Sequence, residues 1–366
     1  MVGGGVAGAF AAYFLTQAGV GVTVVDRADA GAASPNNPGG LNPLYGPGIP
    51  GPLQPLALAA FALHLGAWDD IANRSGIDFA GRRKQRLNLA VDDVDLARLE
   101  AMKANYDARP GFGARWLSGD EVRQREPRLS TTIVRGLLAE GDARVDAPAY
   151  TRAVRRAAEV LGANLVTDTV TGLDLDGRRV AGVRTLAGER SCDAVVIATG
   201  AWGDDTASWL GAALPMEPVL GDMLLARVAG GGVTTDLAWR DGAIYQADDD
   251  EVWLGGTEEH RGFDSAPTSA GAATVIERVR PVFPAAADGE ILRHTTGLRP
   301  LTPDGQPVIG LVAGFDNVCV VTGGGRKGML YAAAMGAAAR DLLMSGRTEL
   351  PVGPCSPGRF VEAGRP

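Results

Sequence analysis

The stretch MVGGGVAGAFAAYFLTQAGVGVTVVDR, residues 1–27, decides the fold. Gly3, Gly5 and Gly8 give it the spacing G-x-G-x-x-G. In that spacing the first glycine makes a tight turn, the second lets the backbone approach a pyrophosphate, and the third lets helix and strand pack closely. The small and apolar residues 6–17 predict a helix whose N-terminal N–H groups face the pyrophosphate. The stretch therefore predicts a dinucleotide-binding turn between a strand and a helix.

The next strand supplies an acid for the cofactor. The β-branched residues 20–25 predict a buried parallel strand, and Asp26 ends it. A carboxylate at this position takes the ribose hydroxyl groups and disfavours the 2′-phosphate of NADP. Only Met1 and Val2 precede the glycines, whereas a first strand needs about five residues. We therefore expect a shortened central strand and reduced stability, as from a truncated chain or a late start codon.

The chain length and the order of patterns predict two domains. A chain of 366 residues is too long for one simple core. The predicted fold class is α/β, with a Rossmann-type cofactor domain and a second, mainly antiparallel α+β substrate domain. The last ~20 residues, rich in Pro and Gly, are expected to fray. The cofactor domain is expected to be discontinuous, comprising residues 1–78, 141–214 and 291–366, with residues 79–140 and 215–290 in the substrate domain.

Charge, cysteine content and hydropathy exclude several classes of function. The formal net charge of −8 argues against a nucleic-acid partner, and the short basic run at residues 82–84 is interpreted as a solvated face. The three cysteines are widely spaced and form no metal motif, which suits a reducing compartment. No apolar stretch has the ~18 residues of a membrane helix, and we expect no signal peptide. We expect a cytoplasmic protein without a metal site or a membrane span.

Five segments, in order, carry a resemblance that covers nearly the whole chain. They are residues 3–27, PNNPGGLNP at 35–43, DAVVIATGAW at 193–202, TTGLRPLTPDGQPVIG at 295–310 and VTGGGRKGML at 321–330. Together they resemble the D-amino-acid oxidase superfamily, in particular its glycine oxidase and sarcosine oxidase branches. The resemblance implies FAD beneath an antiparallel substrate domain. It also implies oxidation of the C–N bond of a small amino acid or secondary amine, by hydride transfer to flavin N5, to an imine that hydrolyses.

The resemblance implies a cofactor site that is built largely from backbone groups. The pyrophosphate would lie at Gly3, Gly5, Val6, Ala7 and Gly8, and the ribose at Asp26 with Arg27. The flavin would lie at Ser34, Asn37, Gly39, Gly40 and Leu41, and the adenine at Val170. The cofactor tunnel would be closed by Thr199, Gly200 and Trp202, and the C-terminal turn would contribute Gly325, Arg326, Lys327, Gly328 and Met329. The glycines of the last turn precede a long helix, whose N-terminal N–H groups favour negative charge on the flavin ring. A structural joint between strand and helix is the alternative interpretation of these glycines.

Two departures from the family pattern bear on the flavin. Gly297 stands where monomeric sarcosine oxidases carry a flavin-linking cysteine, which implies non-covalent FAD. Trp253 stands in place of their oxygen-activating lysine, which leaves O₂ or another electron acceptor open.

Three residues are candidates for the catalytic site. Arg299 is expected to clamp a substrate carboxylate through two parallel N–H···O bonds, with a structural ion pair as the alternative. Arg326 fits either role equally, and Tyr245 is either a second carboxylate contact or a half-buried core residue. His64 and His260 show no partner in the sequence and are interpreted as structural.

Other functions stay open on the sequence. A flavin dehydrogenase of a 2-hydroxy acid and a tailoring oxidase of a larger amine share the predicted fold. The segment PNNPGGLNP also resembles the oxidase half of a bacterial tRNA-modifying enzyme, although the acidic charge balance disfavours that reading. A non-catalytic flavoprotein is the alternative from another class.

Overall fold

The computed structural model describes residues 1–211 and 214–360, except for the side chains of residues 204 and 205. The helices of this part are α1 (Val6–Gln17), α2 (Gln54–Ser75), α3 (Asp93–Asp107), α4 (Gly119–Arg125), α5 (Ala147–Val160), α6 (Gly203–Leu210), α7 (Ser269–Val279), α8 (Pro284–Ala287) and α9 (Gly328–Ser345). Its strands are β1 (Thr23–Asp26), β2 (Gly40–Leu41), β3 (Arg82–Ala90), β4 (Gly113–Ser118), β5 (Arg135–Arg144), β6 (Asn164–Thr167), β7 (Val170–Asp176), β8 (Arg179–Thr185), β9 (Gly188–Ser191), β10 (Val195–Ile197), β11 (Glu217–Arg227), β12 (Asp236–Trp239), β13 (Gly242–Gln246), β14 (Glu251–Gly255), β15 (Glu290–Leu301), β16 (Val308–Leu311) and β17 (Val318–Thr322).

The first layer is a sheet of mainly parallel strands centred on Val2. β1 pairs in parallel with β6, and β10 pairs in parallel with β17, to which β16 adds an antiparallel edge. Val2 joins the two halves because it bridges both Val25 and Ile197. A single residue thus takes the place of the central strand, as the short N-terminal stretch predicts.

Two buried helices pack on this sheet. Phe10, Ala11 and Ala12 of α1 are fully buried, and the alanine-rich α9 is buried over most of its length. A helix without a polar face is typical of one enclosed between layers. The predicted helix over residues 6–17 is confirmed. The strand predicted over 20–25 begins later, at β1, because the chain first turns back from α1 toward the sheet.

The second layer is a large sheet, in which the described strands follow the order β15-β11-β14-β13-β12-β3-β5-β2, with β4 paired to β5. Its strand pairs are antiparallel, except for the parallel pair of β3 and β12. Alternate residues of a strand face opposite sides of the sheet. Leu87 and Leu254 therefore pack with Val275 and Val279 of α7 on one side, which leaves the other side to face the first layer. The predicted fold class, a parallel-sheet domain with an antiparallel partner, is confirmed.

Hydrogen bonds connect the two layers directly. The N–H of Leu298 on β15 donates to the carbonyl oxygen of Gly31 at 2.8 Å, and Leu298 also bridges Ala32. β15 pairs along its length with β11, so residues 291–301 belong to the large sheet although the sequence groups them with the cofactor domain. The division into two domains stays a prediction, and the pairing of β15 with β11 favours placing β15 in the substrate domain.

Candidate active site

A cavity of about 950 Å³ lies between the two layers and brings the predicted cofactor and substrate residues together. Its walls include the turn before α1, the loop after β1, the ends of β10 and β17, and the inner face of the large sheet. Every predicted site residue lines it except Gly8, Gly39 and Leu41, which lie behind the wall. Leu41 is fully buried in the apolar core, because β2 pairs with β5 and turns this side chain inward.

Glycines are required where α1 meets the sheet. A Cβ at Gly8 would lie 2.1 Å from the carbonyl oxygen of Gly3. Gly3 itself has φ +95°, and a Cβ there would lie 2.4 Å from the carbonyl oxygen of Ala198. Gly8 therefore sets helix packing, whereas Gly3 and Gly5 form the cavity wall at the helix N-terminus.

The predicted ribose acid is held in place by the backbone. The carboxylate of Asp26 accepts hydrogen bonds from the N–H groups of Gly4 and of Ala28, the latter at 2.7 Å. Arg155 lies 3.7 Å from the same carboxylate. Asp26 thus lines the cavity in a fixed orientation, at the end of β1 where the ribose hydroxyl groups are expected.

The loop after β1 is shaped by its own side chains. Asn37 donates to the carbonyl oxygens of Ala33 and Ser34, at 3.2 and 2.7 Å, and accepts the N–H of Gly39 at 2.9 Å. The Ser34 hydroxyl oxygen accepts the N–H of Val6 at 2.9 Å, so it already satisfies one donor of the helix N-terminus. Asn37 and Ser34 therefore organise the wall as well as facing the cavity.

Aromatic and hydroxyl groups line the far end of the cavity. The Arg27 guanidinium lies 4.5 Å from the ring centroid of Trp202, and this indole stacks on Phe263 at 5.9 Å. The Thr199 hydroxyl is buried without a hydrogen-bond partner among the described residues. Val170, the first residue of β7, also lines this end. A buried hydroxyl without a partner is costly unless a ligand satisfies it.

The turn before α9 inserts a buried ammonium group beside the cavity. Lys327 donates from Nζ to the backbone carbonyl oxygen of Asn42 at 2.9 Å and to the side-chain oxygen of the same residue. Burial, and then repulsion from Arg86, lower the pKa of Lys327 to about 7. Gly325, Gly328 and Met329, the other predicted residues of this turn, also line the cavity.

The three candidate substrate residues have different surroundings. Arg299 is partly buried, donates to the Thr257 carbonyl oxygen at 2.8 Å, and has no carboxylate within 4.0 Å among the described residues. Burial lowers the pKa of Arg299, an effect that Glu258 opposes. Arg326 instead forms a two-bonded ion pair with the carboxylate of Glu258. Burial raises the pKa of Tyr245, so its hydroxyl stays protonated.

Sequence reasoning missed many residues of this wall, among them Arg86, Tyr45 and Glu258. Arg86 alternates along β3 with the buried Leu87 and Leu89, and this period of two would have placed it on the opposite face of the sheet. Tyr45 and Glu258 lie outside the named strands, where no periodicity marks them.

The cavity fits FAD. It combines a glycine cradle at a helix N-terminus, an oriented carboxylate at the ribose position and an unsatisfied buried hydroxyl. In the described part of the chain, no helix has the length and apolarity to cross a bilayer, and no three His, Cys, Asp or Glu side chains group as metal ligands.

Comparisons with known proteins agree with this fit. A family model described as FAD dependent oxidoreductase matches residues 1–342. The chain is 31% identical to a glycine oxidase from Pseudomonas aeruginosa, over 100% of this chain and 98% of that protein. It is 28% identical to a D-amino acid dehydrogenase from Bradyrhizobium diazoefficiens, over 99% and 98%. The crystal structure of glycine oxidase from Geobacillus kaustophilus is similar with a TM-score of 0.90 and 26% identity, over 97% of this chain and 96% of the other. The resemblance seen in the sequence is confirmed: the chain belongs to the family of FAD-dependent oxidoreductases and is an FAD-dependent enzyme.

Proposed function

We propose that this enzyme oxidises the C–N bond of a small amino acid or secondary amine, to an imine that water hydrolyses. When bound, FAD would supply the oxidising chemistry, as the acceptor of the hydride from the substrate α-carbon. The observation that carries the proposal is Arg299. A partly buried guanidinium group that faces a cavity, with no carboxylate within 4.0 Å among the described residues, is suited to bind the carboxylate of a substrate.

Two side chains would orient the substrate. Arg299 binds the carboxylate through two parallel N–H···O bonds, which fix its plane. Tyr245 donates a further hydrogen bond, because burial keeps its phenol protonated. The chain then contributes mainly orientation, which brings the α-carbon to its acceptor in a reactive geometry. The cationic wall also disfavours an ammonium group, so the amine binds neutral after releasing its proton to water, and no protein base is required.

The placement of the cofactor follows from the cavity wall. We propose that the pyrophosphate of FAD lies at the N-terminus of α1, the ribose at Asp26 and the adenine beside Val170. Gly297 offers no side-chain nucleophile to the flavin, which supports non-covalent binding. One relative is named an oxidase, which favours O₂ as the electron acceptor. Another is named a dehydrogenase, which favours a different acceptor.

Anaerobic reduction of the bound flavin tests the proposal. Amino acids of both configurations, N-methylated amino acids and 2-hydroxy acids are mixed with the holoenzyme, and loss of the flavin absorbance bands is followed. Bleaching by amino acids supports the proposal, whereas bleaching by 2-hydroxy acids alone overturns it. Arg299→Ala should raise KM for the best substrate by about 100-fold, because a charge-assisted bidentate contact is lost. Arg293→Ala is the matched control, since Arg293 lies exposed on the same strand.

A further inference from the structure

We propose that Asp222 and His294 are positioning residues of the active site, which act through Thr257 to hold the guanidinium group of Arg299 ready for a substrate carboxylate. This inference rests on the proposed function, because it assigns the groups that keep its carboxylate-binding arginine in place. It starts from a buried carboxylate on the side of the large sheet that faces away from the cavity.

Asp222 lies on the face of β11 that is covered by α7. Met223, the next residue, lines the cavity, and alternate residues of a strand face opposite sides of the sheet. Leu224, on the same side as Asp222, packs in the core with α7. A Cβ at Gly271, in the first turn of α7, would lie 2.7 Å from Oδ1 of Asp222. The helix therefore covers this carboxylate, and Asp222 is only 1% exposed.

Two polar side chains hold the buried carboxylate. His294 on β15 donates from Nε2 to Oδ1 of Asp222 at 2.6 Å, since an ionised carboxylate has no donor of its own. The Thr257 hydroxyl donates to Oδ2 at 2.5 Å. Among the described residues, no Lys or Arg side chain lies within 4.0 Å of this carboxylate. Because burying a carboxylate is costly, these contacts point to a role other than stability.

Thr257 connects this carboxylate to the cavity. Besides donating to Oδ2, its hydroxyl oxygen accepts the backbone N–H of Asp222 at 2.9 Å, so two bonds to one residue fix the side chain. Its backbone carbonyl oxygen accepts from Nη1 of Arg299 at 2.8 Å. Thr257 is 2% exposed and lines the cavity wall. Its hydroxyl thus contacts Asp222 while its carbonyl oxygen holds the arginine.

Both contacts that fix Arg299 are with neighbours of Asp222. One is the Thr257 carbonyl oxygen, and the other is Gly221, the residue before Asp222 in the chain. A Cβ at Gly221 would lie 2.1 Å from Nη2 and 2.4 Å from Nη1 of Arg299, so the guanidinium group packs directly on this glycine. The Thr257 carbonyl oxygen takes one of the five N–H donors of the arginine, which leaves the others for a ligand.

Fixing the arginine beforehand favours ligand binding. A long side chain loses rotamer freedom when a ligand immobilises it, and this loss lowers the affinity. Because Thr257 already restrains Arg299, a carboxylate avoids most of that loss. Removing the restraint should therefore weaken carboxylate binding while the positive charge remains, an effect smaller than that of removing Arg299 itself.

Binding of a carboxylate without turnover tests the network. The holoenzyme of each variant is titrated with butyrate, and the shift in flavin absorbance gives the Kd. Thr257→Val removes the hydroxyl but keeps the shape of the side chain, and Asp222→Ala removes both acceptors. We expect each substitution to raise the Kd about tenfold.

His294 offers a conservative pair of variants. His294→Leu removes the donor to Asp222 and should raise the Kd of butyrate about threefold. His294→Gln keeps an N–H donor at a similar reach and should stay within about twofold of the parent protein. Thr235→Val is the matched control for Thr257→Val, since it removes a buried hydroxyl that contacts Arg125, and it should leave the Kd unchanged.

A double-mutant cycle separates positioning from a general loss of structure. Thr257→Val should lower kcat/KM for the best substrate about tenfold in the parent protein. In the Arg299→Ala background it should have no further effect, because no guanidinium group is left to position. FAD loading and thermal unfolding are measured for every variant. If Asp222→Ala loses FAD, Thr257→Val and the His294 pair decide the outcome.

Three results would overturn the inference. They are an equal effect of Thr257→Val with and without Arg299, an unchanged Kd of butyrate in Thr257→Val, and loss of FAD in both Thr257→Val and Asp222→Ala. If amino acids reduce the flavin but the variants bind butyrate as the parent protein does, the function stands and the inference fails. If the cycle behaves as expected while only 2-hydroxy acids reduce the flavin, the inference stands and the function fails.

Discussion

Arg326 donates two hydrogen bonds to the carboxylate of Glu258. This bidentate ion pair joins the turn before α9 to the loop after β14 at the wall of the cavity. Burial raises the pKa of Glu258, but Arg326 outweighs burial and holds this pKa below its usual value. A group with a lowered folded-state pKa stabilises the fold above its unfolded pKa and loses that contribution as pH falls. The pair is therefore intact at neutral pH and breaks in acid.

Removing the acid of this pair should strengthen binding of anions. Glu258→Gln leaves Arg326 without its counter-charge at the cavity wall, so we expect KM for a carboxylate substrate to fall about threefold at low salt. Steady-state kinetics at low and high ionic strength measure the effect. Glu259→Gln, one residue along the same loop, should change KM less; an equal change would show a general effect of surface charge.

A substitution at Gly221 gives a second test of whether Arg299 binds the substrate carboxylate. A Cβ at Gly221 would lie 2.1 Å from Nη2 of Arg299, so Gly221→Ala should displace the guanidinium. We expect KM for carboxylate substrates to rise about tenfold, with FAD loading unchanged. Gly113→Ala, where a Cβ would meet nothing within 4 Å, is the control. Unaltered kinetics in Gly221→Ala would argue that Arg299 does not bind substrate.

The packing of α1 predicts which glycine controls cofactor loading through the fold. Gly8→Ala places a Cβ 2.1 Å from the Gly3 carbonyl oxygen, and neither backbone can move freely. We expect purified protein with little bound flavin and a melting temperature lower by roughly 5 °C or more. The ratio of flavin to protein absorbance and thermal unfolding measure both effects. Gly66→Ala, an open position within α2, should keep full loading and gain slight stability.

Lys327 predicts a change of stability with pH. The pKa of Lys327 is lowered from 10.5 to about 7 by burial first and then by Arg86. Between these values the unfolded chain binds more protons than the folded one, so this residue makes the free energy of unfolding rise with pH.

Lys327→Met should flatten that rise, by roughly 3 to 4 kcal/mol in the free energy of unfolding between about pH 7 and pH 10. Urea denaturation of the holoenzyme across this range measures the free energy of unfolding. Lys103→Met, which alters a surface ion pair on α3, should leave the slope as in the parent protein. A slope that Lys327→Met does not change would contradict the shifted pKa.

Local sequence patterns predicted the first layer well. The helix at residues 6–17 has the predicted bounds, and the acid at 26 lies at the cavity, because glycine spacing and apolar runs act within about 25 residues. The hydrogen-bond partners of single polar residues could not be predicted, because they lie far away in the sequence. His64 has no partner in the sequence, yet its ring lies 2.9 Å from the Tyr150 hydroxyl and 2.9 Å from the Leu330 carbonyl oxygen.

Two further outcomes also depend on residues that are distant in the sequence. The basic run at residues 82–84 is predicted as a solvated face. Arg82 and Arg83 are exposed as predicted, whereas Lys84 is paired with Asp236, because β3 and β12 meet only in the folded sheet. The C-terminal segment was expected to fray, yet Cys355 and Pro357 are buried there, next to β16. Residues 361–366 lie outside the described part. The Pro- and Gly-rich C-terminal segment has a low propensity for helix or strand, but its described part is ordered because its side chains pack against the rest of the fold.

The bond from Leu298 to Gly31 also ties the loop after β1 to the strand that carries Arg299. A change in the position of this loop is therefore passed directly to the guanidinium group that we propose for substrate binding. Arg326 and Glu258 line the same cavity and are partly exposed, so their ion pair lies at its solvent-facing edge. We expect turnover to respond to changes at this pair.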